Sequence, residues 1–369
     1  MKIILTTGLL LCSFGVFAQP GTWKEVIRDK SAKKAIAAAE KYIDSLQNSQ
    51  HIPGISICVG TREKILWAEG FGYADLENRS PVSIYSVFRL GSVSKLLTSL
   101  AFGKLYQQGK LDPDAPIQQY LPDFPEKKYP ITARQLAGHT AGIRHYIKAD
   151  QLIAPRYYKN VQDGLTIFKN DTLLFKPGTA YNYSTFGFTL LSAVVEAAAK
   201  KDFLSYMRDS IFLPLGMTHT FADINDSIIP GRVRFYEPNK NGGVHNADYV
   251  DNSYKWAGGG FLSSTIDLVN MVRGLITYKI LDPKTVELLF TDQKLENGKS
   301  TNVGIAWRIN ETKSGVKYIH HGGAIEGGRS FVFFYPESGY IFAISANVSG
   351  AKINIDEAAT VLAFFLNNK

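Results

Sequence analysis

Ser92 and Lys95 are the residues whose types and spacing could do chemistry. They lie in Phe88-Arg89-Leu90-Gly91-Ser92-Val93-Ser94-Lys95. The apolar residues that follow fall at Val93, Leu96, Leu97, Leu100, Ala101, Phe102 and Leu105, with Gly109 as a stop. That spacing predicts a helix of about three turns, apolar on most sides and therefore buried. A serine at its N-terminus has a lysine three residues on along the same face, about 5–6 Å away. Free helix N–H groups and the positive end of the helix dipole lower the cost of an alkoxide and of an anionic intermediate. This context marks Ser92 as a nucleophile.

The Ser-x-x-Lys pattern alone is weak, since it also begins at Ser31, Ser314 and Ser349. Ser31 opens a charged, Ala-rich helix and reads as a cap. Ser314 sits in the polar turn Asn310–Gly315, and Ser349 precedes Gly350 in a loop. Only Ser92 opens a long apolar helix.

Composition bounds the rest. Lys2, the apolar core Ile3–Phe17 and Val16-Phe17-Ala18 before Gln19 read as an export signal over residues 1–18, too short to span a membrane. Leu11 before Cys12 argues against a lipoprotein anchor. Cleavage would leave Cys58 as the remaining cysteine, so no internal disulfide is expected and the protein is placed in the periplasm or outside the cell. Net charge is +8, but Lys and Arg are scattered. This reads as a solvated basic surface rather than a nucleic-acid site, with anionic substrates or cell-envelope polymers a minor expectation.

Elements that must position the serine follow in order. An amphipathic helix is expected over Ser31–Gln47, then strands over Gly54–Gly60 and Lys64–Tyr73, and the buried helix from Ser92. Further helices are expected near Ile131–Leu136, over Phe188–Ala199 and over Thr265–Thr277. Strands are expected over Val303–Asn310, Val316–His321, Ser330–Tyr335 and Tyr340–Ala346, with a closing helix over Asn354–Leu366. The fold class is α/β of the α+β kind: an antiparallel sheet flanked by the terminal helices, plus a helical lobe. The mature unit would run over 19–369, with a sheet lobe of about 19–87 and 261–369 and a helical lobe of about 88–260. A site would lie in the cleft between them.

These residues bring a family into view. Phe88–Lys95, Ile131–Gly142, Pro177–Leu190, Pro214–Met217 and Gly258–Asp267 resemble, in order, signatures of serine beta-lactamase-related hydrolases of the class C beta-lactamase and penicillin-binding peptidase type. Gly72–Arg79, Phe124–Lys127, Gly142–Tyr146 and Asn252–Gly260 resemble the LACTB-type, filament-forming branch. The resemblance implies a beta-lactamase/transpeptidase-like fold and a catalytic set of Ser92, Lys95 and Tyr183. Tyr183-Ser184-Thr185 matches the family's Tyr-x-Asn, and ammonium groups beside the phenol would make Tyr183 a usable base. Thr185 replaces the amide, which puts efficient beta-lactam turnover in doubt and leaves Thr185 as a substrate-binding residue of shorter reach. The third motif falls at His320-His321-Gly322-Gly323-Ala324. Its spacing favours His321, Gly322 and Gly323 for substrate binding, with His320 as the competing register. The Ala324 and Ser92 N–H groups would form an oxyanion hole.

His139 is expected to shape the cleft structurally. His51, His145, His219 and His245 show no metal-ligand spacing, so no metal and no cofactor are expected. The expected partner is a small acyl or peptide substrate, most of all a peptidoglycan-derived amide, with beta-lactam or ester hydrolysis as the alternative. A weakly active, filament-forming assembly protein is the rival of another class, and a homo-oligomer is open under either.

Overall fold

The chain comes together on a strand that both of its ends contribute to cover. The structure, a computed structural model, describes residues 25–147 and 156–367. The expected leader over residues 1–18, with Cys12, lies outside the described residues.

Gly54–Gly60 is buried along its whole length, between Ile65–Asp75 on one side and Ile341–Ala346 on the other. The antiparallel sheet runs in the order Ile27–Arg28, Ile65–Asp75, Gly54–Gly60, Ile341–Ala346, Gly328–Phe334, Lys317–Ile325 and Arg308–Glu311, with Ser80–Pro81 paired to Ile65–Asp75. A strand buried on both faces must be apolar on both, and Ile55, Ile57, Cys58 and Val59 meet that requirement.

The helices Lys33–Ser49 and Ile355–Leu366 close one face. Ala35, Ile36, Ala39, Ile43 and Leu46 recur at helical spacing on the first, and Ala358, Val361, Leu362 and Phe365 on the second. They pack with Trp67, Phe71, Phe333 and Ile344 into one core, Trp67 stacking on Phe365 at 6.5 Å. On the other face Cys58, Ala68, Val332 and Phe334 join a larger core that continues through Thr265–Ile276 into the helices Ser94–Gln107 and Thr185–Ala199. A small sheet of Phe88–Arg89, Phe261–Ser263 and Thr220–Ala222 lies where the two parts meet.

Most expected elements stand within a few residues of their places, and two differ in a way that matters. The strand expected over Val303–Asn310 is confined to Arg308–Glu311, because Val303–Trp307 turns inward and buries Ile305, Ala306 and Trp307. The strand expected to end at His321 continues to Ile325. Its pairing with Arg308–Glu311 nevertheless stops at His320. From His321 to Ile325 the strand is paired only with Gly328–Phe334, so one edge is left open.

Candidate active site

The open edge faces Ser92. Leu90 N–H donates to the Phe261 carbonyl (3.0 Å), Gly91–Val93 forms a single 3₁₀ turn, and the helix Ser94–Gln107 follows. Ser92 therefore sits one turn ahead of the helix proper. Two glycines let this turn touch the strand. Gly91 has φ +49°, and a Cβ there would meet the Ala324 nitrogen at 2.8 Å. A Cβ on Gly323 would lie 1.9 Å from the Leu90 carbonyl oxygen. Ser330 Oγ donates to that same oxygen at 2.6 Å. Any side chain at these two positions would push apart the serine turn and the strand. Ala324 is exposed in the cleft, and its nitrogen lies against Gly91, the residue before Ser92.

Arg89 clamps the arrangement from behind. Its buried guanidinium pairs with Asp223 (Nε–Oδ2 2.7 Å) and donates to the Glu326 carbonyl at 3.0 Å, in the turn that follows Ala324. Asn252 also donates to Asp223, at 2.8 Å.

Around Ser92 Oγ, Lys95 Nζ stands at 3.3 Å and Tyr183 Oη at 2.6 Å. Lys95 is fully buried. Its Nζ also reaches the Gly258 carbonyl (2.5 Å) and Thr185 Oγ1 (3.3 Å) and lies over the Tyr183 ring at 4.8 Å. Burial, helped by the charge of Arg308, holds the amine well below the ordinary lysine range. Thr185 is buried against Lys95 and is not among the residues that line the cleft, so here its hydroxyl holds the lysine.

Tyr183 departs from the sequence expectation. Packing around its phenol pushes the pKa up to about 12, against the smaller opposing effects of the Ser92 hydrogen bond and Arg308. The phenol is a proton donor at neutral pH, not a ready base, because desolvation of the phenolate outweighs the nearby cation.

Of the two rings beside Tyr183, His139 is the one expected to shape the cleft, and the sequence did not single out His145. His139 and His145 lie 4.4 and 5.5 Å from its ring, centroid to centroid. Each Nδ1 accepts a backbone N–H at the start of Thr185–Ala199: Ser184 N–H to His139 and Thr185 N–H to His145, both at 3.2 Å. An acceptor nitrogen requires a neutral ring. Burial supplies it, holding His139 well below the histidine range and His145 at about 4. The two rings fix the helix start and hence Tyr183.

The strand separates the two candidate histidines by its pleat. His321 lies on the nucleophile side, 6.4 Å from the Tyr183 ring, and its Nδ1 is 2.7 Å from the Gly322 carbonyl. His320 lies on the opposite face, against Phe331 and bonded to Asn310 Oδ1 at 2.9 Å.

The cleft has a volume of about 450 Å³ and is lined by Ser92, Tyr183, the strand 320–324 and several cationic side chains. Arg308, which the sequence did not single out, lies 5.9 Å from the Tyr183 ring. Among the described residues no group of His, Cys, Asp and Glu could hold a metal ion. A serine held between a buried amine of lowered basicity and a phenol, with the Ala324 nitrogen beside its turn, can attack a carbonyl and stabilise the resulting oxyanion.

A family model described as beta-lactamase matches residues 39–363. The chain belongs to the beta-lactamase family. The human mitochondrial serine beta-lactamase-like protein LACTB is 32% identical to it over 82% of this chain and 72% of its own length. Penicillin-binding protein 4* of Bacillus subtilis is 27% identical over 73% of this chain and 63% of its own. In fold, the octameric penicillin-binding protein homologue from Pyrococcus abyssi superposes with a TM-score of 0.77 over 90% of this chain and 77% of that one, at 23% identity. Membership of this family makes the protein a serine hydrolase with a beta-lactamase/transpeptidase fold.

Proposed function

We propose that the protein hydrolyses peptide or peptidoglycan-derived amides through an acyl-enzyme on Ser92. The observation that carries this is the placement of Ser92 Oγ, 3.3 Å from a buried lysine and 2.6 Å from a tyrosine phenol, at the open edge of a strand.

Lys95, its basicity lowered by burial, takes the Ser92 proton in its uncharged form as Oγ bonds to the carbonyl carbon. The N–H groups of Ser92 and Ala324 receive the oxyanion. Collapse breaks the carbon–nitrogen bond, and the departing amine takes a proton from Tyr183, which the Lys95 ammonium then restores. Water attacks the acyl-enzyme by the same route in reverse. Extended substrate would add to the free edge at 321–325, as peptides add to sheet edges, with Gly322 and Gly323 leaving the main chain bare. His321 borders that edge, and Arg308 would receive a substrate carboxylate. This favours a carboxypeptidase-like use over beta-lactam or ester hydrolysis.

A peptidoglycan-derived substrate would lie outside the cytoplasm, and residues 1–18 would then serve as the export signal. The mass of the mature chain recovered from the cell envelope would test it. An octameric relative in fold makes a homo-oligomer the assembly to look for, and the complete Ser92–Lys95–Tyr183 set speaks against a purely structural role.

A fluorescent phosphonate should label the wild type and not Ser92→Ala; undiminished labelling of the variant would sink the assignment. A fluorescent penicillin, followed by intact mass, separates the uses of the site. A lasting adduct marks slow deacylation of the penicillin-binding kind, and an adduct that clears marks a lactamase. No adduct beside phosphonate labelling marks an esterase or a selective peptidase.

A further inference from the structure

The cleft has a second cationic end. Besides Arg308, its wall includes Arg329 and Lys352, and none of its lining residues is Asp or Glu. None of the three cations stands in an ion pair among the described residues, although Arg28, Arg89, Arg134, Arg144 and Arg234 all do. Arg329 Nε is buried with no hydrogen-bond partner. Glu357, in the first turn of the helix after Asn354, accepts the Asn354 N–H at 2.8 Å and does not line the cleft.

The strand register separates the two arginines. Arg308 is opposite His320 on one side of Lys317–Ile325, and Arg329 is opposite Ala324 on the other. Four residues along the strand and two strand spacings across it set their Cα atoms about 16 Å apart. That spacing leaves room for a separate anionic group at each. Arg329 alternates with Ser330, whose side chain points to Leu90 beneath the serine, so Arg329 projects to the opposite face, where Phe331, Lys352 and Asn354 line the same cleft.

Unpaired cations around one concavity raise the local potential and favour entry of an anion. A guanidinium without a carboxylate partner can receive a carboxylate or phosphate.

We infer that the cleft takes a dianionic acyl substrate: one negative group at Arg308 and a second, carboxylate or phosphate, at a subsite formed by Arg329 and Lys352. This rests on the hydrolase reading above and adds to it the charge of the substrate beyond its terminal carboxylate. Ser92 lines the same cleft as both, so one substrate could meet the nucleophile and both cationic ends.

The test is protection of Ser92 from a fluorescent phosphonate by suberate, and by its monoamide suberamate, which has the same length and one charge fewer. Each rate is normalised to the same protein without competitor. The wild type should be protected by suberate at a concentration about tenfold lower than by suberamate, with the gap closing in high salt. Arg329→Gln should abolish the gap, Lys352→Gln should narrow it, and Arg329→Lys should restore part of it. Equal protection in the wild type, or a gap that survives in Arg329→Gln, would overturn the subsite. If the phosphonate fails to label Ser92 in the wild type, the hydrolase reading falls first and takes the subsite with it.

Discussion

The floor and the wall of the cleft are built on opposite terms. On the floor, Ser92, Lys95, Thr185, Tyr183 and Gly258 hold one another in a closed set of contacts, and the lysine is sealed from water. On the wall, Arg308, Arg329 and Lys352 face a cavity with no acidic residue among its lining. The floor has satisfied its groups internally, so its chemistry is set before substrate arrives. The wall leaves its charges for the ligand to satisfy. Variants of the floor should therefore depress reaction with any acylating probe, and variants of the wall only with probes that carry charge.

The largest effect is expected at Lys95. Lys95→Met keeps the volume and removes an amine buried without a carboxylate partner, so folding should survive. Phosphonate labelling should fall about 10³-fold or more, in line with loss of a general base. In the wild type the labelling rate should rise with pH through the lowered pKa of Lys95 and then stay flat well into the alkaline range. The phenol of Tyr183, at about 12, remains protonated there. A basic limb near pH 9 would contradict the donor role of Tyr183.

Tyr183→Phe should cost about 10- to 100-fold, less than Lys95→Met, because Lys95 still reaches Ser92 without the phenol. A loss as large as that of Lys95→Met would mean that Tyr183, not Lys95, takes the serine proton. The floor would then need redrawing.

For the wall, Arg308→Gln should lower reaction with carboxylate-bearing acyl probes about tenfold and with a neutral ester such as p-nitrophenyl acetate far less. It should also move the acid limb to higher pH. Arg308 helps hold Lys95 down, and without that charge the amine keeps its proton to a higher pH. An unmoved limb would detach Arg308 from the lysine.

The floor was largely legible in the sequence and the wall was not, for a physical reason. Ser92 and Lys95 lie three apart in one helical context, and Tyr183 falls between a Pro-Gly turn and an apolar helix, so local pattern reveals all three. The glycines at 322–323 announce a bare strand in the same way. Arg308 and Arg329 reach the cleft from different strands, and only the sheet register places them there. His139 and His145 act through ring nitrogens aimed at a helix start that lies far along the chain. The rise of the Tyr183 pKa could not be read either, because burial and charge pull against each other and their balance depends on packing. The expected strand over Val303–Asn310 failed where apolar alternation served an inward turn instead.

The smallest effect is also the sharpest test of the contrast. Arg89 is an arginine like Arg308, but its charge is spent on Asp223 and its remaining reach on the Glu326 carbonyl. Asp223→Asn keeps an acceptor for Arg89 and loosens the pair, so the turn that carries Ala324 should relax by tenths of an ångström. Oxyanion stabilisation depends on that N–H, and the rate should fall by only a few-fold. The fall should be equal for neutral and anionic probes, since this guanidinium never meets the ligand. A fall confined to anionic probes would move Arg89 from the floor to the wall, and with it the division of the cleft into a part that is satisfied and a part that waits for charge.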